Sequence, residues 1–381
     1  MAPLGRRCLG ALVDSKFRYS PALDGFRAGA VLLVMVYHLG IPPRGGHIGV
    51  NAFFVLSGFL ITSLLLHENL KTGRIALGSF FARRALRLYP PLLAVVAAVV
   101  AYSLIVPGAV RAENSLSAIP AVVLYFSNWV RSFGEGTPLG LFEHTWSLSV
   151  EEQFYLLWPL VLLAVLRITK RLSAVVLVAL SGCGASLLLR LALNGSTPGE
   201  RITSGIDTQA DQLLFGCALA ALVLLASRHG WEASLSRVLR VAVWPAAAAL
   251  GVVAIAWKPG DHSTAGMVIP AIIAAACAAV IGYLYLHPGN WAGRALGCKP
   301  LVYVGKRSYA LYLWHYPIYT VMTVNGFPAS GPLRMILEVA LSFITAELSW
   351  RLVESPALRV KDRLGTGRKE QQPSTPSMAS R

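Results

Sequence analysis

The chain has 381 residues, 55% of them hydrophobic and only 14% charged, with a mean hydropathy of +0.59. So much apolar surface excludes a soluble globular domain and points to an all-α, polytopic membrane protein. The formal net charge of +16 would suit a nucleic-acid binder, but the basic residues are distributed as membrane topology distributes them, and no nucleic acid is needed to explain them.

Windows of about 20 apolar residues predict ten spans, near 22–41, 47–66, 88–107, 148–166, 172–190, 208–227, 239–257, 265–286, 305–324 and 332–353. They make one transmembrane domain over 21–356, between a cytoplasmic tail over 1–20 and a polar, Pro/Ser-rich, disordered tail over 357–381. The first span is expected to be its own signal-anchor, because residues 1–20 hold only a weak apolar run. With both termini in the cytoplasm, the inner segments are rich in Lys and Arg: Lys71, Arg74, Arg83, Arg84, Arg87, Arg167, Lys170, Arg171, Arg228, Arg237, Arg240, Arg294, Lys299, Lys306 and Arg307. The outer segments hold only Arg44, Arg111, Arg131, Arg190, Arg201, Lys258 and Arg334. That is the positive-inside asymmetry of an even-numbered bundle, and the expected location is a cell membrane, crossed many times. The five cysteines show neither paired nor ligand spacing, so no disulfide and no metal site is expected.

In the first span, Arg27 and His38 are separated by ten mostly apolar residues. Eleven helical steps advance about 16 Å and return within roughly 20° of the same face. A charge inside a membrane helix costs on the order of 2.5–3.5 kcal/mol on insertion scales, and it usually faces a polar interior. Interfacial snorkelling of Arg27 and simple packing of His38 are the bland alternative. In the second span, Asn51, Ser57 and Gly58 fit close helix packing first and cavity lining second, and Ser57 lacks a convincing local base. Arg83, Arg84 and Arg87 enter the third span; they serve topology or a phosphate-bearing ligand from the cytoplasm.

The fourth span opens His144-Thr-Trp-Ser-Leu-Ser-Val-Glu151-Glu152-Gln153. The helix dipole favours one acid there; two suggest that a carboxylate orients His38 and compensates its imidazolium. Asp207 and Asp211 lie a turn apart in the sixth span. Ser308, Tyr312, His315 and Tyr319 form a polar stripe in the ninth, and Glu347 sits in the tenth. Interhelical hydrogen bonding is the plain reading of these last groups.

Together these segments resemble the membrane-bound acyltransferase-3 family. The pieces run from Leu23-Asp-Gly-Phe-Arg27…His38 and Gly49-Val-Asn-Ala-Phe-Phe-Val-Leu-Ser-Gly-Phe to Phe80…Arg83-Arg84…Arg87…Pro90 and His144-Thr-Trp-Ser-Leu…Glu151-Glu152-Gln-Phe-Tyr155. Gly305…Ser308-Tyr309…Leu-Tyr-Leu-Trp-His315 and Glu354-Ser-Pro356 complete them. The resemblance implies transfer of an acyl group, often acetyl, from a coenzyme A thioester to an acceptor hydroxyl. The family's Arg-x10-His motif maps onto Arg27 and His38.

On this reading His38, Glu151 and Glu152 are the expected catalytic residues. Arg27, Arg83, Arg84 and Arg87 are expected to hold acyl-CoA, a co-substrate rather than a resident cofactor. His144, Asp207, Asp211, Tyr312 and His315 are expected on the acceptor side. Many family members have Asp-Thr-Arg-Ala-Asp where this chain has Asp207-Thr-Gln209-Ala-Asp211, which bears on the acceptor side or an internal ion pair. Many also carry a further transmembrane segment and a soluble hydrolase-like domain, and this chain is expected to be a stand-alone form. The expected acceptor is a hydroxyl of a cell-envelope glycan, glycolipid or lipid-linked sugar, with a macrolide-type metabolite as the alternative. A transporter or flippase is the rival from another class; it would show repeat-related halves, and no internal repeat is evident.

Overall fold

A computed structural model describes residues 19–359, apart from 44, 107, 258–262 and 325–330. Most of the two expected tails, 1–18 and 360–381, therefore lies outside the described residues. Among the described residues every regular element is helical. Lipid offers no partner to a backbone N–H or C=O, so a spanning segment must satisfy them within itself, and the apolar runs do so as helices.

In chain order these are α1 (Pro21–His38), α2 (Ile48–Thr72), α3 (Leu77–Ile105), α4 (Ala112–Val123) and α5 (Ser127–Phe133). A 3-10 turn (Gly140–Thr145) leads into α6 (Trp146–Thr169), followed by α7 (Leu172–Leu193), α8 (Gly199–Ser204), α9 (Ile206–His229), α10 (Glu232–Ala256) and α11 (Thr264–Leu286). Then come α12 (Trp291–Leu296), α13 (Lys299–Lys306), α14 (Ser308–Val324) and α15 (Pro332–Ser349), which ends in a π-helical turn (Trp350–Glu354).

Among the described residues seven helical segments are long and apolar enough to cross a membrane: α2, α3, α6 with its 3-10 turn, α7, α9 with α8, α10 and α11. The expected count of ten is not reached by that measure. The other three expected spans are occupied by α1, α14 and α15, of 18, 17 and 18 residues. Their shortfall has a chemical cause: α1 carries Asp24, Arg27 and His38, α14 carries His315 and a run of tyrosines, and α15 carries Glu338 and Glu347. Helix α3 begins at Leu77, eleven residues before the expected apolar window, so Arg83, Arg84 and Arg87 are on the helix itself. The stretch between the third and fourth expected spans folds into α4, α5 and the 3-10 turn.

Helices α2 and α9 form the middle of the bundle and contribute to both of its apolar cores. They cross backbone to backbone. A Cβ on Gly58 would sit 1.9 Å from the Leu213 carbonyl oxygen, and one on Gly216 would sit 2.0 Å from that of Val55. Only glycine permits this approach, as small residues do where membrane helices touch. By contrast α7 and α10 turn Leu177, Leu188, Val241 and Ile255 outward, as lipid-facing helices do. α1, α2, α3, α6 and α14 then enclose the space described next.

Candidate active site

A cavity of about 370 Å³ opens among α1, α2, α3, α6 and α14. Its mouth is basic: Arg27 from α1 and Arg83, Arg84 and Arg87 from α3 all line it. Arg27, Arg83 and Arg84 are each held by a short-range partner. Arg27 Nη1 donates to Asp24 Oδ1 at 3.1 Å, and Tyr19 OH braces the other Asp24 oxygen at 2.5 Å. Arg84 Nη2 donates to Glu152 Oε1 at 3.1 Å while its guanidinium lies 3.4 Å from the centre of the Tyr155 ring. Arg83 Nη1 donates to Ser79 Oγ at 3.0 Å. Cation–π stacking and a single carboxylate fix Arg84 in place and leave part of its fork for a further acceptor.

Midway along the cavity Ser57 Oγ donates to Glu151 Oε1 at 2.8 Å. Sequence reading finds no base for Ser57; the fold supplies a carboxylate from 94 positions away. The far end is closed by Tyr312 and Ser147, whose hydroxyl oxygens are 2.6 Å apart, and Tyr312 OH also approaches the His144 carbonyl at 2.8 Å.

Directly behind Tyr312 stand three histidines. His38 Nδ1 and His315 Nε2 are 3.0 Å apart, and His315 Nδ1 is 3.0 Å from the Leu311 carbonyl oxygen. A carbonyl only accepts, so His315 Nδ1 carries the hydrogen there. In a neutral His315, Nε2 is then the acceptor, His38 Nδ1 must donate to it, and His38 Nε2 is left with its lone pair. A backbone carbonyl thus sets the tautomer of both rings, the role that an orienting group plays for a histidine base. The His144 ring packs between Tyr312 and Tyr316, with centroids 5.4 and 5.0 Å away, and 5.7 Å from His315.

This corrects the expected partner of His38. Neither Glu151 nor Glu152 touches it: Glu151 pairs with Ser57 and Glu152 with Arg84. The reason is axial. The beginning of α6 stands beside the histidines, and five to six residues further along the helix carry the carboxylates about 8 Å deeper, toward the arginines. His315, expected on the acceptor side, is the group that meets His38.

Asp207 and Asp211 do not line the cavity either. Asp211 receives Arg190 Nη2 at 2.6 Å and Nη1 at 3.2 Å, and Arg190 also donates to the carbonyls of Thr208 and Met267. Arg190, expected in an outer segment, is therefore sealed in the bundle. Asp207 is held by both Arg201 nitrogens, at 2.9 and 2.5 Å. Gln209, where many family members have Arg, donates to the Ile202 carbonyl and accepts from Gln212, which in turn accepts from Asn51 on α2. The internal ion pair survives through Arg190, and Gln209 belongs to a neutral ladder between α9 and α2.

A family model for an acyltransferase domain matches residues 20–350. The chain is 36% identical over 364 residues to the peptidoglycan O-acetyltransferase OatA of Listeria monocytogenes, covering 89% of this chain and 56% of that protein. It is 34% identical over 363 residues to the O-acetyltransferase OatA of Staphylococcus aureus, covering 89% of this chain and 57% of the relative. The chain thus spans little more than half the length of these relatives. No solved structure matches it. The chain belongs to the acyltransferase-3 family.

Proposed function

We propose that this chain is an integral membrane O-acyltransferase that moves an acyl group, acetyl above all, from acyl-CoA to a hydroxyl of a cell-envelope glycan, glycolipid or lipid-linked sugar. The observation that supports the reading is an arginine-lined cavity that ends at Tyr312 and Ser147, with the His38–His315 pair in the next layer behind Tyr312. The names of the relatives favour a glycan acceptor and the acetyl group.

The coenzyme's phosphates bind at Arg27, Arg83, Arg84 and Arg87, on the cytoplasmic side, through charge-assisted and in part bidentate hydrogen bonds. The thin pantetheine arm then runs past Ser57 and Glu151 and brings the thioester to Ser147 and Tyr312. Movement of the Tyr312 side chain opens the last layer between thioester and histidines. His38 Nε2 takes the proton of the acceptor hydroxyl, and the hydroxyl oxygen attacks the thioester carbonyl carbon. The carbon–sulfur bond breaks, and the thiolate takes up the proton from His38 as the ester leaves. That movement also parts Tyr312 OH from the His144 carbonyl and from Ser147 OH, and the two freed hydroxyls donate to the carbonyl oxygen as it gains charge.

The test is purified protein in detergent with radiolabelled acetyl-CoA and peptide-free peptidoglycan strands. Wild-type protein transfers label to the strands and releases free thiol, and His38→Ala does not. Transfer to the strands that depends on a different acetyl donor, with no thiol released from acetyl-CoA, would overturn the donor assignment.

A further inference from the structure

Around His38 stands a second set of groups, none of which lines the cavity, that the transfer chemistry described so far does not use. Tyr316 packs edge-on against His38, with centroids 5.2 Å apart, and accepts a hydrogen bond from Arg111 Nη1 at 3.3 Å. On the other flank Tyr37 adjoins His38 at 5.2 Å and His47 at 6.0 Å, His47 stacks on Trp146 at 6.0 Å and 7°, and the Arg131 guanidinium lies 5.4 Å over the Trp146 ring. Trp257 packs edge-on against His47, and its indole N–H is buried with no partner among the described residues.

Arg111 and Arg131 are both half-buried, and among the described residues neither is ion-paired. Glu143 is close enough to both to feel their charge, yet its Oε1 is engaged by the Leu139 N–H at 2.8 Å. The Arg131 guanidinium lies over an aromatic ring and Arg111 donates to the Tyr316 hydroxyl. The single buried carboxylate of Glu143 serves both cations and, among the described residues, forms an ion pair with neither, which leaves a net positive charge on the flanks of the base. An aromatic wall with arginines and a spare N–H is also the lining that sugar rings with polar substituents take.

We propose that Arg111 and Arg131 form an acceptor subsite for an anionic group, a carboxylate or phosphate carried by the sugar whose hydroxyl meets His38 Nε2. This rests on the acyltransfer reading and deepens it: the acceptor is an acidic glycan. A bound oxyanion supplies the remaining counter-charge, and the half-buried Tyr37 and Tyr316 wall the sugar.

The experiment compares peptide-free peptidoglycan strands with free carboxylates, the same strands with those carboxylates converted to methyl amides, and a phosphate-bearing polyol glycan. Each is assayed as acceptor and, fluorescently labelled and without acetyl-CoA, as a ligand of the purified protein. Wild type is expected to favour an anionic strand over the amide strand roughly tenfold or more. Arg131→Gln and Arg111→Gln should erase that preference, raising KM for the anionic strand by about tenfold, the loss of one charge-assisted hydrogen bond, with KM for acetyl-CoA unchanged. Arg131→Lys should restore part of it. The better of the carboxylate and phosphate strands identifies the anion. Equal losses on charged and amidated strands, or no charge preference in the wild type, would overturn the subsite. Charge-selective binding lost in the arginine variants, with no transfer from acetyl-CoA in the wild type, would instead keep the subsite and remove the donor assignment.

Discussion

Two of the arginine–carboxylate pairs in this bundle, Arg190–Asp211 and Arg84–Glu152, differ in what surrounds them. Arg190 and Asp211 are sealed, with side chains 1% and 0% exposed, and every remaining arginine contact is a backbone carbonyl. Arg84 and Glu152 are 26% and 18% exposed and border the cavity, with Tyr155 under the guanidinium. Charge within a membrane helix therefore has two distinct meanings here. The sealed pair ties α7 to α9; the open one keeps a cation available to a ligand. Sequence alone makes Asp211 and Glu152 look alike, each an acid inside an apolar run.

The comparison can be broken most sharply at the sealed pair. Asp211→Ala leaves Arg190 buried without its partner, and the expected loss is about 3–5 kcal/mol of stability. It should appear as lost monodisperse protein in detergent, whereas Arg190→Met with Asp211→Leu should recover much of it. Glu152→Ala should cost clearly less, about 1–2 kcal/mol, since the cavity admits water to this pair and Tyr155 still stacks on the arginine. Equal destabilisation by Asp211→Ala and Glu152→Ala would erase the distinction.

A second, smaller effect belongs to the orienting ring. His315→Ala removes the acceptor that fixes His38 and should lower transfer by about 10–100-fold, the usual cost of losing a group that orients a histidine. His315→Gln can still accept from His38 and should retain more activity. Equal rates for the two variants would deny the ring an orienting role.

The open arginines come next. Arg84→Ala and Arg87→Ala should each weaken acyl-CoA binding by roughly tenfold or more, as loss of a charged hydrogen bond does. The effect should shrink as salt rises, with binding of the glycan strand unaltered. Unchanged acyl-CoA binding by the double variant would reduce both residues to topological signals. Topology itself is checked with an impermeant thiol reagent on intact cells: a cysteine at Glu135 should label and one at Lys71 should not.

The helices were legible because apolar windows of membrane length have few alternative folds, and Arg27 and His38 stood out because charge is rare in such windows. What stayed hidden is contact between distant segments. His38 and His315 are 277 positions apart, and Ser57 and Glu151 are 94 apart. Helical periodicity places a residue on a face, but not against a given neighbour. Adjacent acids on α6 looked like partners for His38 because axial depth cannot be read to within two turns. Arg190 looked like an outer-segment charge because it ends an apolar run, although the fold turns it inward onto Asp211.

The central claim is that His38 Nε2, its lone pair directed by the chain from the Leu311 carbonyl through His315, removes the acceptor proton. Single-turnover transfer from radiolabelled acetyl-CoA to glycan strands, compared between wild type and His38→Gln, tests it most directly. Glutamine preserves polarity and size but cannot take the proton. The account expects a fall of about 10²–10⁴ in the transfer rate, with acetyl-CoA binding and the folded yield unchanged. Near wild-type transfer by His38→Gln would show that another group is the base.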